Sequence, residues 1–206
     1  MPVRRSNAVV FVALVTLALL SVGCTRGGGA NAKPADLANW EFPQTVEVFR
    51  RSALDGGPSA GEVIAEYEAV IAEAPVFVSV FVYPAPELLH VASDQETRAT
   101  ADDVLSLQHF ADNKLAVEQS HASARLLSEG TTSTVQRGAV HPGRLATYRL
   151  TEPFLGPVTE LDSTLHQFRD GPWVVKVRAT YPASIAAEAG PAVTRFIDAL
   201  AWPALQ

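Results

Sequence analysis

The clearest pattern of apolar residues in this chain is V-F-V-S-V-F-V-Y (76–83), which has no polar alternation and ends at P-A-P. Such a run of β-branched and aromatic residues is typical of a strand that is buried on both faces. It predicts a central strand, with other elements packed on each side of its sheet. Alternation of apolar and polar residues predicts further strands at 45–51 and 144–150.

A β-hairpin is predicted near the C-terminus. Leu161 to Phe168 and Trp173 to Tyr181 are two strand-like runs, and Asp170-Gly171 between them is a turn signal. Within the second run, Trp173 and Val175 share one face, whereas Lys176 and Arg178 share the other. The first of these faces is therefore predicted to belong to the core, and both Phe81 and Trp173 are predicted to be buried.

Helical spacing of apolar residues predicts two helices. The first begins at Ser93 or Asp94 and ends at Gly130, a C′ residue, with an interruption allowed near Asp112-Asn113. Its predicted stripe consists of Val104, Leu107, Ala111, Leu115, Ala122 and Leu126. The second helix has Pro191 in its first turn and ends before Trp202-Pro203. Its predicted stripe consists of Val193, Phe196, Ile197 and Leu200.

The segment 62–72 fits two structures. Val63, Ile64 and Tyr67 lie at helical spacing, and Ser59 with Glu62 imitates a capping box. Val63, Ala65 and Tyr67 fit a strand equally well. With a strand at this position the element order is β-β-β-α-β-β-β-α. We therefore expect an α+β fold, in which one long helix and a C-terminal helix pack on a mostly antiparallel sheet of about six strands.

Three motifs carry a resemblance to known proteins. V-F-V-Y-P-A-P (80–86), W-V-V-K-V-R-A-T-Y-P (173–182) and F-I-D-A-L-A-W-P (196–203) resemble motifs of a group of uncharacterised secreted or lipid-anchored bacterial proteins. In that group a glycine-led strand precedes the V-Y-P strand, which favours a strand at 62–68. The element order is also similar to the PsbP-like α/β/α sandwich, which is an analogy of fold alone.

The N-terminal sequence is typical of a bacterial lipoprotein signal. Arg4 and Arg5 form a positive n-region, residues 8–20 form an apolar h-region, and Ser21-Val22-Gly23 precedes Cys24. Ser21 departs from the usual lipobox, and a plain signal peptide is the alternative. However, Cys24 is the single cysteine of the chain and leaves none for a disulfide.

We therefore predict three regions: a lipoprotein signal peptide (1–23), a flexible tether (24–38) and one globular domain (39–206). The domain is expected to be held at a membrane through lipidated Cys24. In a Gram-negative host, Thr25 after the cysteine favours the outer membrane, with the domain facing the periplasm, as the lipoprotein resemblance implies.

Charge and motif composition exclude several classes of function. Residues 24–206 contain fourteen basic and 22 acidic residues, a net charge of −8, and no basic cluster. Nucleic acid is therefore not an expected partner. The sequence has no metal-ligand spacing among His90, His109, His121, His141 and His166, and no Gly-rich phosphate loop. No cofactor or metal is predicted, and the histidines are expected in loops or at the surface.

Two candidate catalytic arrangements are weak. Gly57-Pro58-Ser59-Ala60-Gly61 matches G-x-S-x-G, but a nucleophile elbow requires a strand directly before the serine, and here a loop precedes it. Glu160 and Asp162 share one face of a predicted strand and are better explained as an exposed strand end. The chain is therefore expected to be non-catalytic. A periplasmic hydrolase using Ser59 with His141 or His166 is the alternative.

The remaining candidate site is cationic. Lys176 and Arg178 are predicted to lie on the polar face of the sheet, where simple solvation is the favoured interpretation. The alternative is a groove that binds a small anionic ligand or an acidic envelope protein, with Arg149 on a neighbouring strand. The expected function is thus a membrane-anchored accessory, assembly or ligand-binding module.

Overall fold

The computed structural model of this chain describes residues 40–56, 61–85 and 95–202, and for residues 95–104 only the backbone. Eight strands form one sheet. They are β1 (Thr45–Val46), β2 (Phe49–Gly56), β3 (Val63–Ile71), β4 (Ala74–Pro84), β5 (Arg125–Gln136), β6 (Ala139–Pro153), β7 (Val158–Asp170) and β8 (Trp173–Pro182). Two helices accompany them: α1 (Gln95–Ser120) and, after a short 3-10 turn at Ala183–Ile185, α2 (Ala186–Ala199).

Every pair of neighbouring strands in the sheet is antiparallel. The spatial order is β1-β2-β3-β4-β8-β7-β6-β5. Strands β1–β4 and β5–β8 are therefore two meanders, and they meet where β4 pairs with β8 in the middle of the sheet. The segment 62–72, whose structure the sequence left open, is strand β3.

The predicted fold class is wrong, because strands dominate the chain far more than the α+β prediction allowed. The sheet has eight strands rather than about six, and the predicted long helix ends at Ser120, ten residues before Gly130. The last part of that predicted helix is strand β5, which lies at one edge of the sheet. The predicted strand 45–51 is in fact two strands, separated by a turn in which Glu47 has a φ of 52°.

The predicted C-terminal hairpin is present as β7 and β8. Asp170 pairs with Trp173, so the turn itself is Gly171-Pro172. Gly171 has a φ of 57°, a conformation that glycine adopts without steric cost. The turn fixes the register of β7 with β8, and therefore which residues of the two strands share a face of the sheet.

The larger core lies on one side of the sheet, which we call the α2 face. Helix α2 buries Val193, Phe196 and Ile197 there, and the ring of Phe196 lies 5.1 Å from that of Phe49 and 4.9 Å from that of Tyr67. The predicted stripe of this helix is confirmed. Its predicted start is wrong, because α2 begins at Ala186, so that its proline lies inside the helix.

The opposite side, which we call the α1 face, is covered by helix α1. Its core is smaller, with Phe110 and Val117 of the helix packed near Tyr148 and Leu165 of the sheet. Polar groups supply several of the remaining contacts between helix and sheet, such as the ion pair of Lys114 with Glu129. Helix α1 therefore covers a face that is partly polar, and the candidate site lies beneath it.

Within the described parts of the chain, neither helix has the length and apolar character that crossing a membrane requires.

Candidate ligand-binding site

The register of β8 places Lys176 and Arg178 beneath helix α1. Phe81 of β4 lies directly beside Lys176, and Ser79 lies beside Arg178. Both cationic side chains are half-buried. The prediction that Lys176 and Arg178 are freely solvated is therefore wrong. Helix α1 covers the face of β8 that the alternating sequence pattern predicted to be polar and exposed.

Lys176 has an aromatic environment. Its Nζ lies 4.2 Å from the ring centroid of Phe81 and 5.6 Å from that of Tyr83. It donates one long hydrogen bond of 3.4 Å to Asn113 Oδ1. The pKa of Lys176 is lowered to about 8, mainly by burial; Glu62 acts in the opposite direction, and the like charge of Arg178 adds a smaller lowering.

Asn113 connects helix α1 to three strands. Its Nδ2 donates to Gln167 Oε1 on β7 at 2.8 Å and to the hydroxyl of Tyr83 on β4 at 3.4 Å. Gln167 in turn donates to the carbonyl oxygen of Ser106 at 3.3 Å. Because the same amide also accepts from Lys176, this one helical side chain orients the lysine relative to its surroundings.

Arg178 is held by a chain of hydrogen bonds. Its Nη2 donates to Nε2 of His121 at 2.6 Å, and its Nε donates to Ser163 Oγ at 3.2 Å. A guanidinium group can only donate, so Nε2 of His121 is the acceptor. The other ring nitrogen, Nδ1, lies 2.7 Å from Glu152 Oε1. Within the described residues, the imidazole thus lies between Arg178 and the nearest carboxylate of this chain of contacts.

Neither cation of this site forms a direct ion pair within the described residues, where no carboxylate oxygen lies within 4.0 Å of Lys176 or Arg178. Partly buried cations without a contacting carboxylate are costly, since burial disfavours the charged form. An anion placed beside them would remove part of this cost. The arrangement is therefore suited to hold a small anionic group against aromatic rings.

Arg149, the third cation of the predicted groove, lies on the opposite face of the sheet. It pairs in register with Asp162, which pairs with Tyr181 of the α2-face core. Its Nε donates to Asp162 Oδ1 at 2.6 Å, and its Nη1 lies 3.4 Å from Glu160 Oε2. The structure thus separates Arg149 from Lys176 and Arg178. It also shows that the two carboxylates hold an arginine, with Asp162 buried rather than exposed.

The histidines do not converge on one site. His109 and His121 lie on the α1 side, whereas His141 and His166 lie on the α2 face. His90 and the serine of the G-x-S-x-G motif are outside the described residues. The expected loop or surface position is wrong for His166, which lies within β7 and is 7 % exposed. His121 lies in the loop between α1 and β5, as expected, but it is equally buried.

The two α2-face histidines differ in their environments. His141 Nδ1 lies 3.6 Å from Oδ1 of buried Asp170, and its ring is 5.1 Å from that of Trp202. His166 is 7 % exposed, and its Nδ1 has no hydrogen-bond partner among the residues that the structure describes. Burial lowers the pKa of His166 to about 4.

The sequence located the two cations but missed the residues that position them. Asn113 was noted only as a point where the helix could be interrupted, and His121 only as one of the dispersed histidines. A polar residue inside an otherwise periodic helix is a signal that could have identified Asn113. No comparable signal identifies His121. Across the residues that the structure describes, no cluster of three His, Cys, Asp or Glu side chains is arranged to hold a metal.

Comparisons with known proteins add little to this geometry. No protein-family model matches the chain, and no curated protein matches it. Among solved structures, the crystal structure of PA94, a protein of unknown function from Pseudomonas aeruginosa, is similar to it. The TM-score is 0.47 and the sequence identity is 12 %, over 76 % of this chain and 99 % of that chain. A similarity at this level carries no functional information, so the function is argued from the site.

Proposed function

We propose that this protein is a membrane-anchored lipoprotein of the bacterial envelope whose folded domain is a non-catalytic module that binds a small anionic ligand at Lys176 and Arg178. The observation that carries the proposal is the half-burial of both cations beneath helix α1, where no carboxylate of the described residues contacts them. A carboxylate or similar group would complete the charge-assisted hydrogen bonds that the cations lack within the described residues.

The aromatic rings favour a ligand with an apolar or planar body. Phe81 and Tyr83 flank the ammonium group of Lys176, so an anion that reaches it must pack against at least one ring. Most small-molecule sites combine such apolar walls with a few placed polar groups. A planar carboxylate satisfies both requirements, and benzoate is a suitable probe.

Benzoate is expected to bind more tightly than benzyl alcohol, by roughly tenfold, because a hydrogen bond to a charged group contributes about 1.5–3 kcal/mol. Isothermal titration calorimetry of both compounds measures the difference. The Lys176→Gln/Arg178→Gln double variant should lose the preference, whereas Arg149→Gln, which removes a cation from the other face, should keep it. Circular dichroism checks that each variant is folded. Equal binding of the two compounds by the wild type would exclude the site.

The anchor is proposed to be a diacylglyceryl-type lipid on Cys24, which would place the domain in the envelope. In a Gram-negative host we propose the outer membrane, with the domain facing the periplasm. Support comes from the positive n-region, the apolar h-region and the single cysteine at the end of the signal. Acyl chains contribute about 0.8 kcal/mol per buried CH₂, so several of them hold a domain stably at a bilayer.

Replacing Cys24 by Ser is expected to move the protein out of the membrane fraction or to leave an unprocessed precursor. Intact-mass spectrometry of protein extracted from native membranes should show the added acyl mass on the wild type and none on the variant. Wild-type protein without any acyl group would contradict the anchor. That outcome would leave the ligand site untouched, since the site lies in the folded domain.

A further inference from the structure

We propose that Lys176 is a reactive amine that captures small carbonyl compounds bearing a carboxylate, of the 2-oxo-acid class, as a reversible imine. This inference rests on the proposed anionic ligand site and names the class of ligand and the mode of its capture. The captured molecule would be bound covalently and released by hydrolysis, so that the protein remains a binding module.

The geometry around Nζ favours a nucleophilic amine. The nitrogen lies 4.2 Å from the centroid of the Phe81 ring, and its one hydrogen bond within the described residues goes to the side-chain oxygen of Asn113 at 3.4 Å. Most lysines in proteins are solvated or ion-paired, and both states stabilise the protonated form. Lys176 is not fully solvated and has no contacting carboxylate among the described residues, and this is the environment in which imine-forming lysines occur.

A second cation further favours the neutral form of the Lys176 amine. Arg178 lies two residues further along β8 on the same face, and like charge disfavours protonation of the amine. The other charged or titratable groups that act on or face Lys176 are Glu62, which opposes this effect, and His109 and Tyr83, which contact each other at 5.3 Å. Desolvation is the largest contribution, and together these groups place the pKa of Lys176 at about 8.

Arg178 also supplies a reason for a carboxylate on the ligand. Its Nε and one Nη2 proton are engaged by Ser163 and His121, and a guanidinium has five N–H donors in all. The remaining N–H groups can donate to a carboxylate of the ligand while the carbonyl carbon of the same molecule reaches the lysine. Lys176 and Arg178 share one face of β8, so the carbonyl group and the carboxylate of one small oxo acid can be presented to the two side chains.

The reaction needs no further reactant. The neutral Nζ donates its lone pair to the carbonyl carbon, and a C–N bond forms to give a carbinolamine. The two hydrogens of the amine then leave with the carbonyl oxygen as one water molecule, and a C=N bond remains. Addition of water reverses both steps and returns the free amine and the carbonyl compound.

The composition of the chain makes the test selective, since it contains three lysines: Lys33, Lys114 and Lys176. Lys114 is ion-paired with Glu129 and serves as the internal reference. The full chain is incubated at pH 7.5 with glyoxylate and sodium cyanoborohydride, which reduces the imine to a stable secondary amine. Peptide mass spectrometry then gives the rate of modification at each lysine.

Lys176 is expected to be modified about tenfold faster than Lys114. At pH 7.5 an amine of pKa about 8 is roughly a quarter neutral, against about 0.1 % for an ordinary lysine. Partial burial limits access to the amine, and a less basic amine is a weaker nucleophile. These two effects reduce the advantage in neutral fraction to the expected tenfold difference in rate. The rate at Lys176 should rise with pH with a midpoint near 8, and Arg178→Gln should slow it several-fold at pH 7.5 by removing the like charge.

Two variants separate this inference from the proposed function. Lys176→Arg keeps a cation and should still bind benzoate, yet it should show no modification above the Lys114 rate at any residue. Lys114→Arg should leave the modification of Lys176 unchanged. If wild-type Lys176 is modified no faster than Lys114 while benzoate still binds, the imine is excluded and the anion site stands. If benzoate does not bind either, both proposals fail.

Discussion

Replacing Trp173 by Ala is expected to lower the free energy of unfolding by about 3–5 kcal/mol, the usual range for truncating a buried aromatic side chain. Trp173 is 1 % exposed and is the largest of the fully buried side chains in the described part of the chain. It begins the central strand β8 and belongs to the α2-face core. Its loss would leave a cavity where the hairpin joins that core.

Urea denaturation with linear extrapolation measures this loss. Val158→Ala is a suitable control, because Val158 lies on the adjacent strand β7 but is 67 % exposed, and surface changes usually stay within about 0.5 kcal/mol. A loss below about 1 kcal/mol for the tryptophan variant would show that the hairpin is not packed as described. The Trp173→Ala measurement therefore also tests the described fold.

The parts of the fold that the sequence predicts are those in which burial determines the pattern. The continuously apolar run at 76–83 became β4, in the middle of the sheet, with Phe81 8 % exposed on one face and Val80 fully buried on the other. The stripe of α2 was equally readable, because that helix has one buried face and one exposed face. In each case a tertiary contact explains every apolar position.

Strand β5 was missed because burial does not determine its pattern. It is an edge strand, and Leu126 and Leu127 are each 41 % exposed. The positions of its apolar residues therefore indicate neither a buried face of a strand nor the buried stripe of a helix. Leu126 happened to continue the helical spacing of α1. The β-branched run Thr131-Thr132 was the better local signal, and it favours a strand.

The candidate site was predictable only in part, for a similar reason. Alternation along one strand suffices to place Lys176 and Arg178 on the same face, because that relation is local. Whether a face is solvated depends on what packs above it, and helix α1 is about sixty residues away in sequence from β8. The position of Arg149 on the opposite face could also be seen only in the structure. Which residues of two neighbouring strands share a face depends on the register in which the strands pair.

His166, which was expected in a loop or at the surface, is buried in β7 and predicts a pH-dependent stability. Burial lowers its pKa from 6.5 to about 4 in the folded protein. Between these values the unfolded chain binds a proton that the folded chain does not, so stability falls as the pH falls. The loss begins near pH 6.5, is complete below about pH 4, and amounts to about 3 kcal/mol at 1.4 kcal/mol per pKa unit.

Urea denaturation of the wild type and of His166→Leu between pH 4 and 7 isolates this contribution, since carboxylates that titrate in the same range affect both proteins equally. The variant should be less sensitive to acid, so that its stability relative to the wild type rises by about 3 kcal/mol from pH 7 to pH 4.

Thr164→Val is the matched control. Thr164 lies on the same face of β7, is buried at 8 % exposure and has no hydroxyl partner within the described part of the chain, but it does not titrate. Its stability difference from the wild type should therefore be constant with pH. Parallel curves for the wild type and His166→Leu would mean that the imidazole is already solvated or paired in the folded protein.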